Sequence, residues 1–502
     1  MLLFSSPPLA SSSASDCSSQ DIICNSTPYP CFCQSNLPSI KSSTIKNYGR
    51  HFIRQYLSSA KDILSLVKSF LKPNSSYFEA TIQALEDCQI LADLNTLLSA
   101  ALTNQETCSD ALQVVASDPS ITNSVLNHLS NGTMLYSISL ALCKHGRVPE
   151  TKRERLLTER KLIFSDVENA KYNLFPRMSS PDEETNESIT GRKLFQTTPG
   201  NVSVSEGVVV NQDSSGNFTT INDAVAAAPN NTGTSNVYFV IYVVAGVYNE
   251  YISIAKKKQN LMIIGDGINQ TVITGSHRVV DGWTTFNSAT FAVVEQGFVA
   301  VNMTIRNTAG AIKAHAVAVR NGADLSTFYR CSFESYQDTL YTHSLRQFYR
   351  ECDIYGTVDF IYGNAAVVFQ DCNVYPRLPL QGQFNAITVQ GRTDPNQNTG
   401  TSIHNCSIRP ANDLASIYMQ SFMNSLIDPL GWHEWSGTFA LSTLYYAEYN
   451  NTGPGSNISN KVTWPGYHVI NVIDAVNFTV SKFILGDAWL PTTGVPYTGG
   501  LL

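Results

Sequence analysis

Two aspartates occupy equivalent positions of a short internal repeat. Asp338 lies seven residues after Cys331, and Asp359 lies seven residues after Cys352. If successive repeats stack, the two carboxyl groups lie one above the other and cannot both ionise at low cost. We therefore expect one raised and one low pKa, the combination that holds an acid beside a nucleophile or base in two-carboxylate enzymes.

The neighbours of the two aspartates suit charge stabilisation and flat substrates. Gln337 can donate an amide hydrogen bond to a developing oxyanion. The alternative interpretation is that Asp338 and Asp359 are only turn residues that accept hydrogen bonds from backbone N–H groups. Flat apolar rings suited to sugars lie near both aspartates in the sequence: Tyr336, Tyr341, Phe360 and Tyr362.

The same repeat predicts the fold that positions these residues. Cys331, Cys352 and Cys372 recur after 21 and then 20 residues, and Cys406 follows after 34. Residues 301–305 form an earlier member without cysteine. Short β-rich segments with this period indicate an all-β, right-handed parallel β-helix, whose stacked coils share one core. A β-sandwich would instead show closely spaced hairpins and no register between the cysteines.

The cysteine register also predicts covalent links between coils. Equivalent residues of adjacent coils lie about 4.8 Å apart, which is close enough for a disulfide once the side chains adjust. We predict the disulfides Cys331–Cys352 and Cys372–Cys406, with four buried thiols as the alternative.

Three regions follow one another along the chain. Apolar residues at helical spacing, as in 56–71, predict an all-α helical bundle over 16–175. A polar segment with three prolines forms a linker over 176–200. The β-helix is expected over 202–495.

The linker contains a short basic motif. Its position on a flexible tether between two domains favours a protease site over an ordinary exposed basic pair. The motif consists of Arg192, Lys193, Leu194 and Phe195.

Composition restricts the possible function classes. Among 502 residues, 43% are hydrophobic and only 15% are charged, which excludes a disordered chain and a coiled coil. The net charge of −7 argues against a nucleic-acid partner. The longest apolar run, 237–248, is too short to cross a bilayer. No Cys or His cluster has zinc spacing, so we expect no metal.

Eleven cysteines and frequent N-x-S/T sequons, as at Asn74 and Asn302, favour the secretory route. The first 14 residues make a weak signal peptide because no Lys or Arg precedes Lys41. We nevertheless expect a secreted protein.

Four segments of the β-region resemble the signature segments of plant pectin methylesterases, and the likeness runs through 202–490. The N-terminal region around Cys24 and Cys108 resembles the inhibitor-type pro-region that precedes such enzymes. The four segments are GVYNE at 246–250, YQDTL at 336–340, DFIYG at 359–363 and GWHEW at 431–435.

The resemblance implies hydrolysis of the methyl esters of homogalacturonan without metal or organic cofactor. It implies that Asp359 is the nucleophile, that Asp338 is first an acid and then a base, and that Gln337 binds the oxyanion. The residues expected to contact the substrate are Thr285, His315, Phe360 and Trp432.

The resemblance also implies partners and further disulfides. The partners are methyl-esterified pectin, a protease that cuts at 192–195, and the pro-region itself as an intramolecular inhibitor. By similarity, Cys24 pairs with Cys33 and Cys88 pairs with Cys108. We expect a monomer, located outside the cell in the plant cell wall.

The chain departs from the family pattern at two places that concern the site. The QAVA segment begins here with His315, whose neutral ring either donates a hydrogen bond, with altered pH dependence, or merely lines the groove. The LGRPW segment is missing between Cys406 and Gly431, and Arg409 is the last arginine. Because Asp359 would lose its charge partner, the alternative is a catalytically impaired, pectin-binding homologue.

Overall fold

We analysed a computed structural model of the chain. It describes residues 22–25, 27–37, 51–52, 54–55, 94–115, 119–145, 203–230, 237–313, 315–394, 396–409, 419–425, 427–434, 437–438, 441–442 and 444–502. The predicted linker with its basic motif, and Cys88, lie outside these residues. The chain divides into two compact units, 1–171 with 393–398 and 172–392 with 399–502.

Within the described part of the N-terminal unit, every regular element is a helix. One long helix runs from Leu94 to Val115. A disulfide joins Cys24 to Cys33 at the start of the unit. The helices are α1 Ile22–Asn25, α2 Pro30–Ser35, α3 Leu94–Val115 and α4 Pro119–His145. None of the described helices combines the length and apolar character that a membrane span requires.

The second unit is built from short strands. In chain order they are β1 Ser203–Val210, β2 Val237–Val243, β3 Gly246–Tyr248, β4 Ile252–Ile254, β5 Leu261–Gly265, β6 Thr271–Gly275, β7 Phe291–Val293, β8 Val299–Val301, β9 Thr304–Asn307, β10 Val319–Asn321, β11 Ser326–Tyr329, β12 Ser332–Glu334, β13 Leu340–Thr342, β14 Arg346–Arg350, β15 Asp353–Gly356, β16 Ile361–Gly363, β17 Ala366–Gln370, β18 Asn373–Pro376, β19 Thr388–Gln390, β20 Gly400–His404, β21 Ser407–Ile408, β22 Phe422–Met423, β23 Tyr446–Glu448 and β24 Tyr467–Val469. Its helices are α5 Ile221–Ala227, α6 Val472–Ala475 and α7 Val480–Phe483.

Three parallel sheets run along the axis of this unit, and each complete coil contributes one strand to each sheet. In the described residues, one eight-stranded sheet has the order β1-β2-β5-β8-β11-β14-β17-β20, and the other has the order β22-β21-β18-β15-β12-β9-β6-β3. The six-stranded sheet has the order β19-β16-β13-β10-β7-β4. The predicted right-handed parallel β-helix is confirmed.

The core of the β-helix is a stack of equivalent side chains. Phe328 pairs in register with Tyr349, and Tyr349 pairs with Phe369. The ring centroids of these neighbours are 5.1 and 4.7 Å apart, and all three side chains are buried. Stacking of successive coils therefore supplies the apolar contacts that one coil alone cannot make.

The four repeat cysteines stack as predicted, but all four are thiols, so the predicted disulfides Cys331–Cys352 and Cys372–Cys406 were wrong. The Sγ atom of Cys352 lies 3.4 Å from a backbone carbonyl oxygen, and that of Cys372 accepts the N–H of Cys352 at 3.5 Å. Strict register keeps the Cα–Cβ bonds parallel, whereas a disulfide needs them to converge. A short distance between the Cα atoms is necessary for a disulfide, but it is not sufficient.

The charged corners of the coils use left-handed backbone. Asp338 has a φ of 67° and Asp359 a φ of 51°. Asp and Asn tolerate this region better than other residues with a β-carbon, because their short polar side chains bond locally. The corner geometry thus explains why an Asp suits each position, and it turns the chain sharply just before β13 and β16.

One helix closes the N-terminal end of the β-helix core. Glu250 accepts hydrogen bonds from backbone N–H groups at the start of α5, and the Nζ atom of Lys258 donates 2.8 Å to the carbonyl oxygen of Ala226 near its end. Each charge matches the sign that the helix dipole prefers at that end. The electrostatics therefore fix the direction of α5.

The coil after Cys406 is short. Ser407 pairs with Phe422, only 15 residues later, whereas Ser332 pairs with Asp353 across a full coil. Within the described residues, this coil adds no strand to the six-stranded sheet beyond β19. Asp338 and Asp359 precede strands of this same sheet by two residues, at β13 and β16.

Candidate active site

The structure brings Asp338 and Asp359 together on one face. Each lies two residues before a strand of the six-stranded sheet, and Leu340 pairs in register with Ile361. The backbone N–H of Asp338 donates to the carbonyl oxygen of Val358 at 3.0 Å. Asp338 is 4% exposed and Asp359 is half-buried. The two carboxyl groups therefore occupy one phase of adjacent coils.

His315 is the hydrogen-bond partner of this pair. Its Nδ1 atom lies 2.7 Å from Oδ2 of Asp338. Burial lowers the pKa of His315, but the hydrogen bond and charge of Asp338, with a smaller effect of Asp359, raise it overall. The Nε2 atom of Gln337 lies 3.5 Å from the same Nδ1 atom. Gln337, His315 and Asp338 thus form one polar cluster.

The two carboxyl groups differ in their electrostatics. Burial and the charge of Asp338 raise the pKa of Asp359 to about 7, against a smaller lowering by His315. Burial also raises the pKa of Asp338, but the hydrogen bond and charge of His315 oppose that rise. The pKa values of both carboxyl groups are therefore raised, so the expected low pKa of one partner is not found, and Asp359 is close to half protonated at neutral pH.

The ion pairs of the described residues also bear on the high pKa of Asp359. Within the described residues, no Lys or Arg side chain forms an ion pair with Asp359. Arg409, the last arginine of the chain, is exposed and lies over the ring of Phe422. Among the groups of the described residues that act on Asp359, His315 is the one that favours its ionised form.

Aromatic rings flank the carboxyl pair. Tyr341 and Tyr362 stack with centroids 4.3 Å apart, and both pack against Ala292 and Val317. Phe286 meets the edge of Tyr341 at 6.3 Å. These rings give the apolar, planar surface that a pyranose ring requires.

Sequence reasoning missed part of this surface. The guanidinium of Arg320 lies 3.4 Å from the ring centre of Phe286, and His343 packs on the same ring at 5.4 Å. Thr285, which was predicted to contact substrate, directly precedes Phe286 at the start of a short 3₁₀ turn. The available signal was the aromatic residue next to Thr285.

Two further substrate-contact predictions have different outcomes. The prediction that Phe360 contacts the substrate was wrong. Its side chain is fully buried in the β-helix core, because the chain turns inward directly after the corner at Asp359. Trp432 is partly buried and stacks on Tyr446 with centroids 4.0 Å apart. Its role as a substrate contact stays a prediction.

Among the described residues, no three His, Cys, Asp or Glu side chains are arranged to hold a metal ion. The fold and the site define a parallel β-helix protein with two carboxyl groups in register on one face. The sequence profile of the pectinesterase family matches residues 207–487, and that of the plant invertase/pectin methylesterase inhibitor family matches residues 19–142. The chain belongs to the pectinesterase family, and it is a carboxylic ester hydrolase that acts on the methyl esters of pectin.

Individual relatives agree with this assignment. The chain is 50% identical to "Probable pectinesterase/pectinesterase inhibitor 20" of Arabidopsis thaliana, over 96% of this chain and 93% of that protein. It is 49% identical to "Pectinesterase 2" of Citrus sinensis, over 82% and 76%. The structure of pectin methylesterase from carrot superposes with a TM-score of 0.57 at 49% identity, covering 59% of this chain and 98% of that one.

Proposed function

We propose that the carboxyl pair hydrolyses the methyl esters of homogalacturonan with Asp359 as nucleophile, Asp338 as acid and then base, and Gln337 as oxyanion donor. The single observation that carries this proposal is the in-register placement of Asp338 and Asp359 beside an amide and an imidazole.

In the first half-reaction, the ionised carboxylate of Asp359 attacks the ester carbonyl carbon. The amide N–H of Gln337 donates to the oxygen that becomes negative. The C–OCH₃ bond then breaks, methanol leaves with a proton from Asp338, and an acyl anhydride to Asp359 remains.

In the second half-reaction, Asp338 removes a proton from water, whose oxygen attacks the acyl carbon. The bond from this carbon to Asp359 breaks and restores the free carboxylate. One ester and one water thus yield one galacturonate, one methanol and one proton. The proton leaves to solvent, for which the partly exposed ring of His315 beside Asp338 gives a path.

The hydrogen bond between His315 and Asp338 bears on how Asp338 can act as the acid. The Nδ1 atom of His315 lies 2.7 Å from Oδ2 of Asp338, so in this proposal the acid is the His315–Asp338 pair rather than Asp338 alone. A proton held between Nδ1 and Oδ2 can reach methanol through Asp338 once Asp359 is ionised. The charge of His315 also lowers the pKa of Asp359, which is the direction in which the arginine of the family pattern acts on the nucleophile.

The substrate lies along the face of the six-stranded sheet in this proposal. Thr285 and Trp432 are its predicted contacts, and the stacked rings of Tyr341 and Tyr362 support the sugar beside the scissile ester. Parallel alignment of the glycan with the β-helix axis would let several sugars contact successive coils.

The N-terminal unit is proposed to be an all-α pro-region over 16–175 that inhibits the enzyme over 202–495 until a protease cuts the 176–200 linker at Arg192–Phe195. The match of the inhibitor family to residues 19–142 supports an inhibitory role. We further propose a monomer that is secreted into the plant cell wall, in line with its family. Mass spectrometry of the secreted protein tests the cleavage, which Arg192→Ala with Lys193→Ala should prevent.

Methanol release from methyl-esterified homogalacturonan tests the main proposal, with Asp359→Asn as the matched inactive variant. Release by the wild-type protein after cleavage of its linker, but not by the variant, is expected. Pectin binding without methanol release by the cleaved wild type would instead favour the catalytically impaired homologue, which the comparisons do not favour.

A further inference from the structure

Three aromatic rings form a stack beside the groove that the mechanism does not use. Tyr251 and His277 lie parallel with centroids 3.5 Å apart, and His277 and Trp283 lie 3.8 Å apart at 15°. Tyr251 is 37% exposed and Trp283 is 41% exposed, and Trp283 forms one end of the stack. An outer indole face is therefore available to a ligand.

The fold holds this stack rigidly. The Nδ2 atom of buried Asn307 donates to the carbonyl oxygen of His277 at 2.9 Å, and the hydroxyl of Tyr251 accepts the N–H of Ser276 at 2.9 Å. Gly275 leaves room for the Tyr251 ring, since a β-carbon there would lie 2.6 Å from it. Such preorganisation lowers the entropic cost of binding.

The stack lies on the same face as the carboxyl pair. Tyr251 directly precedes β4, and Asp338 lies two residues before β13, in the same six-stranded sheet. Three strand spacings separate β4 from β13, or about 14 Å along the axis. The loop that carries Trp283 continues into Thr285 and Phe286, and Phe286 contacts Tyr341 beside the site. The loop thus connects the stack to the rings beside the carboxyl pair.

The charge around the stack suits a neutral ligand. Burial holds the pKa of His277 below its ordinary value, against a smaller opposing effect of Asp281, so the ring is largely neutral. The neighbouring Arg278 and Asp281 neutralise each other in an ion pair of 2.7 Å. A methyl-esterified sugar, which carries no charge, meets no unpaired charge from these residues.

We propose that the Tyr251–His277–Trp283 stack is a remote subsite that binds a methyl-esterified galacturonate ring of the same glycan whose ester is cleaved at Asp359. The C–H face of the pyranose packs on the outer face of Trp283. This inference rests on the proposed function and adds a length preference: glycans long enough to reach the stack bind better than short ones.

The test compares methanol release from a fully methyl-esterified trimer and decamer by the full chain after cleavage of its linker. Trp283→Ala should raise KM for the decamer about tenfold and leave its kcat and both constants for the trimer unchanged. Trp283→Phe should restore most of the affinity because it keeps an aromatic face. Val280→Ala, at a 61% exposed position of the same loop, is the matched control and should change nothing.

Two outcomes would overturn the subsite: an unchanged KM for the decamer, or an equal rise for the trimer, which would show a general distortion of the groove. If the cleaved wild-type protein releases no methanol from either glycan, the proposed function fails. Calorimetric titration with the decamer then tests the subsite separately. If the subsite exists, Trp283→Ala should bind the decamer with a Kd about tenfold higher than that of the wild type.

Discussion

The Nδ1 atom of His315 lies 2.7 Å from Oδ2 of Asp338, so an imidazole is the hydrogen-bond partner of the carboxyl pair. This contact opposes the rise that burial causes in the pKa of Asp338, and the charge of His315 lowers the pKa of Asp359. In the proposed mechanism, one histidine and two aspartates therefore set the pH dependence of the activity.

Removing either carboxyl group should abolish turnover. Asp359→Asn and Asp338→Asn should each lower kcat for methanol release by about 10³-fold or more, because no nucleophile or no acid remains. Both variants should fold, since Asn accepts the left-handed φ of 51° and 67° found at these corners. Activity within tenfold of wild type would remove that residue from the mechanism.

Activity should rise with pH on the acid side of the profile. Because Asp359 has a pKa of about 7, the nucleophile is protonated and inert below that pH and ionised above it. A plot of kcat/KM against pH, which reports the free enzyme, should show an acid limb with an apparent pKa near 7. A flat profile between about pH 5 and 8 would contradict this expectation.

The same pKa predicts a stability effect. The folded-state pKa of Asp359 lies above the unfolded value of about 3.9. The protonated side chain of Asp359 therefore makes its full contribution to the stability of the fold below the unfolded pKa. This contribution is lost as the pH rises through about 7. Asp359→Asn should therefore raise Tm more at pH 8 than at pH 5, measured by thermal unfolding. An equal change at both pH values would argue against a raised pKa.

His315 should set the position of the acid limb. Its positive charge lowers the pKa of Asp359, so His315→Gln should move the acid limb upward by roughly half to one pH unit. His315→Ala should also lower kcat by about 10²-fold, because the donor to the carboxyl pair is lost. His433→Gln, at an exposed histidine, is the control. If His315→Gln and His315→Ala both keep the pH profile of the wild type, His315 only lines the groove.

Glu295 should make the fold less stable at high pH. Its side chain is fully buried, and burial raises its pKa well above the ordinary value, although Oε1 accepts the N–H of Leu261. The neutral form is therefore favoured in the folded state, and stability is lost as the pH rises above the unfolded pKa of about 4.3.

Glu295→Gln keeps the hydrogen bond to Leu261 and removes the ionisation. Urea unfolding should show a smaller loss of stability between pH 5 and 8 for this variant than for the wild type. The prediction fails if the two proteins lose stability in parallel.

The stacked cysteines should be found as thiols. Alkylation under denaturing conditions, before any reduction, should label Cys331, Cys352, Cys372 and Cys406, since none is bridged in the structure. Cys24 and Cys33 should stay unlabelled because they form a disulfide. Recovery of a peptide that links Cys331 to Cys352 would restore the original sequence prediction.

The fold and the carboxyl pair were predictable because both follow one period. The spacing that relates Cys331 to Cys352 also relates Asp338 to Asp359, and parallel stacking turns equal spacing into spatial proximity. Register decides which residues share a face without any knowledge of side-chain conformation.

The rest of the site depends on features without a period. Coils before the pair are unequal: Ile252 pairs with Phe291 and Phe291 with Val319, so loops of different length separate them. The contacts of Arg320 with Phe286 arise from such a loop. Phe360 was misassigned because sequence proximity to a carboxylate does not reveal on which side of the wall a ring lies.

The left-handed corners at Asp338 and Asp359 suggest how such an enzyme can originate. A solenoid must bend at every turn, and the residue types that tolerate the bend best include an acid. Duplication of one turn therefore creates two neighbouring carboxyl groups without any demand for catalysis. Chemistry can then be selected from a pair that the architecture had already brought together.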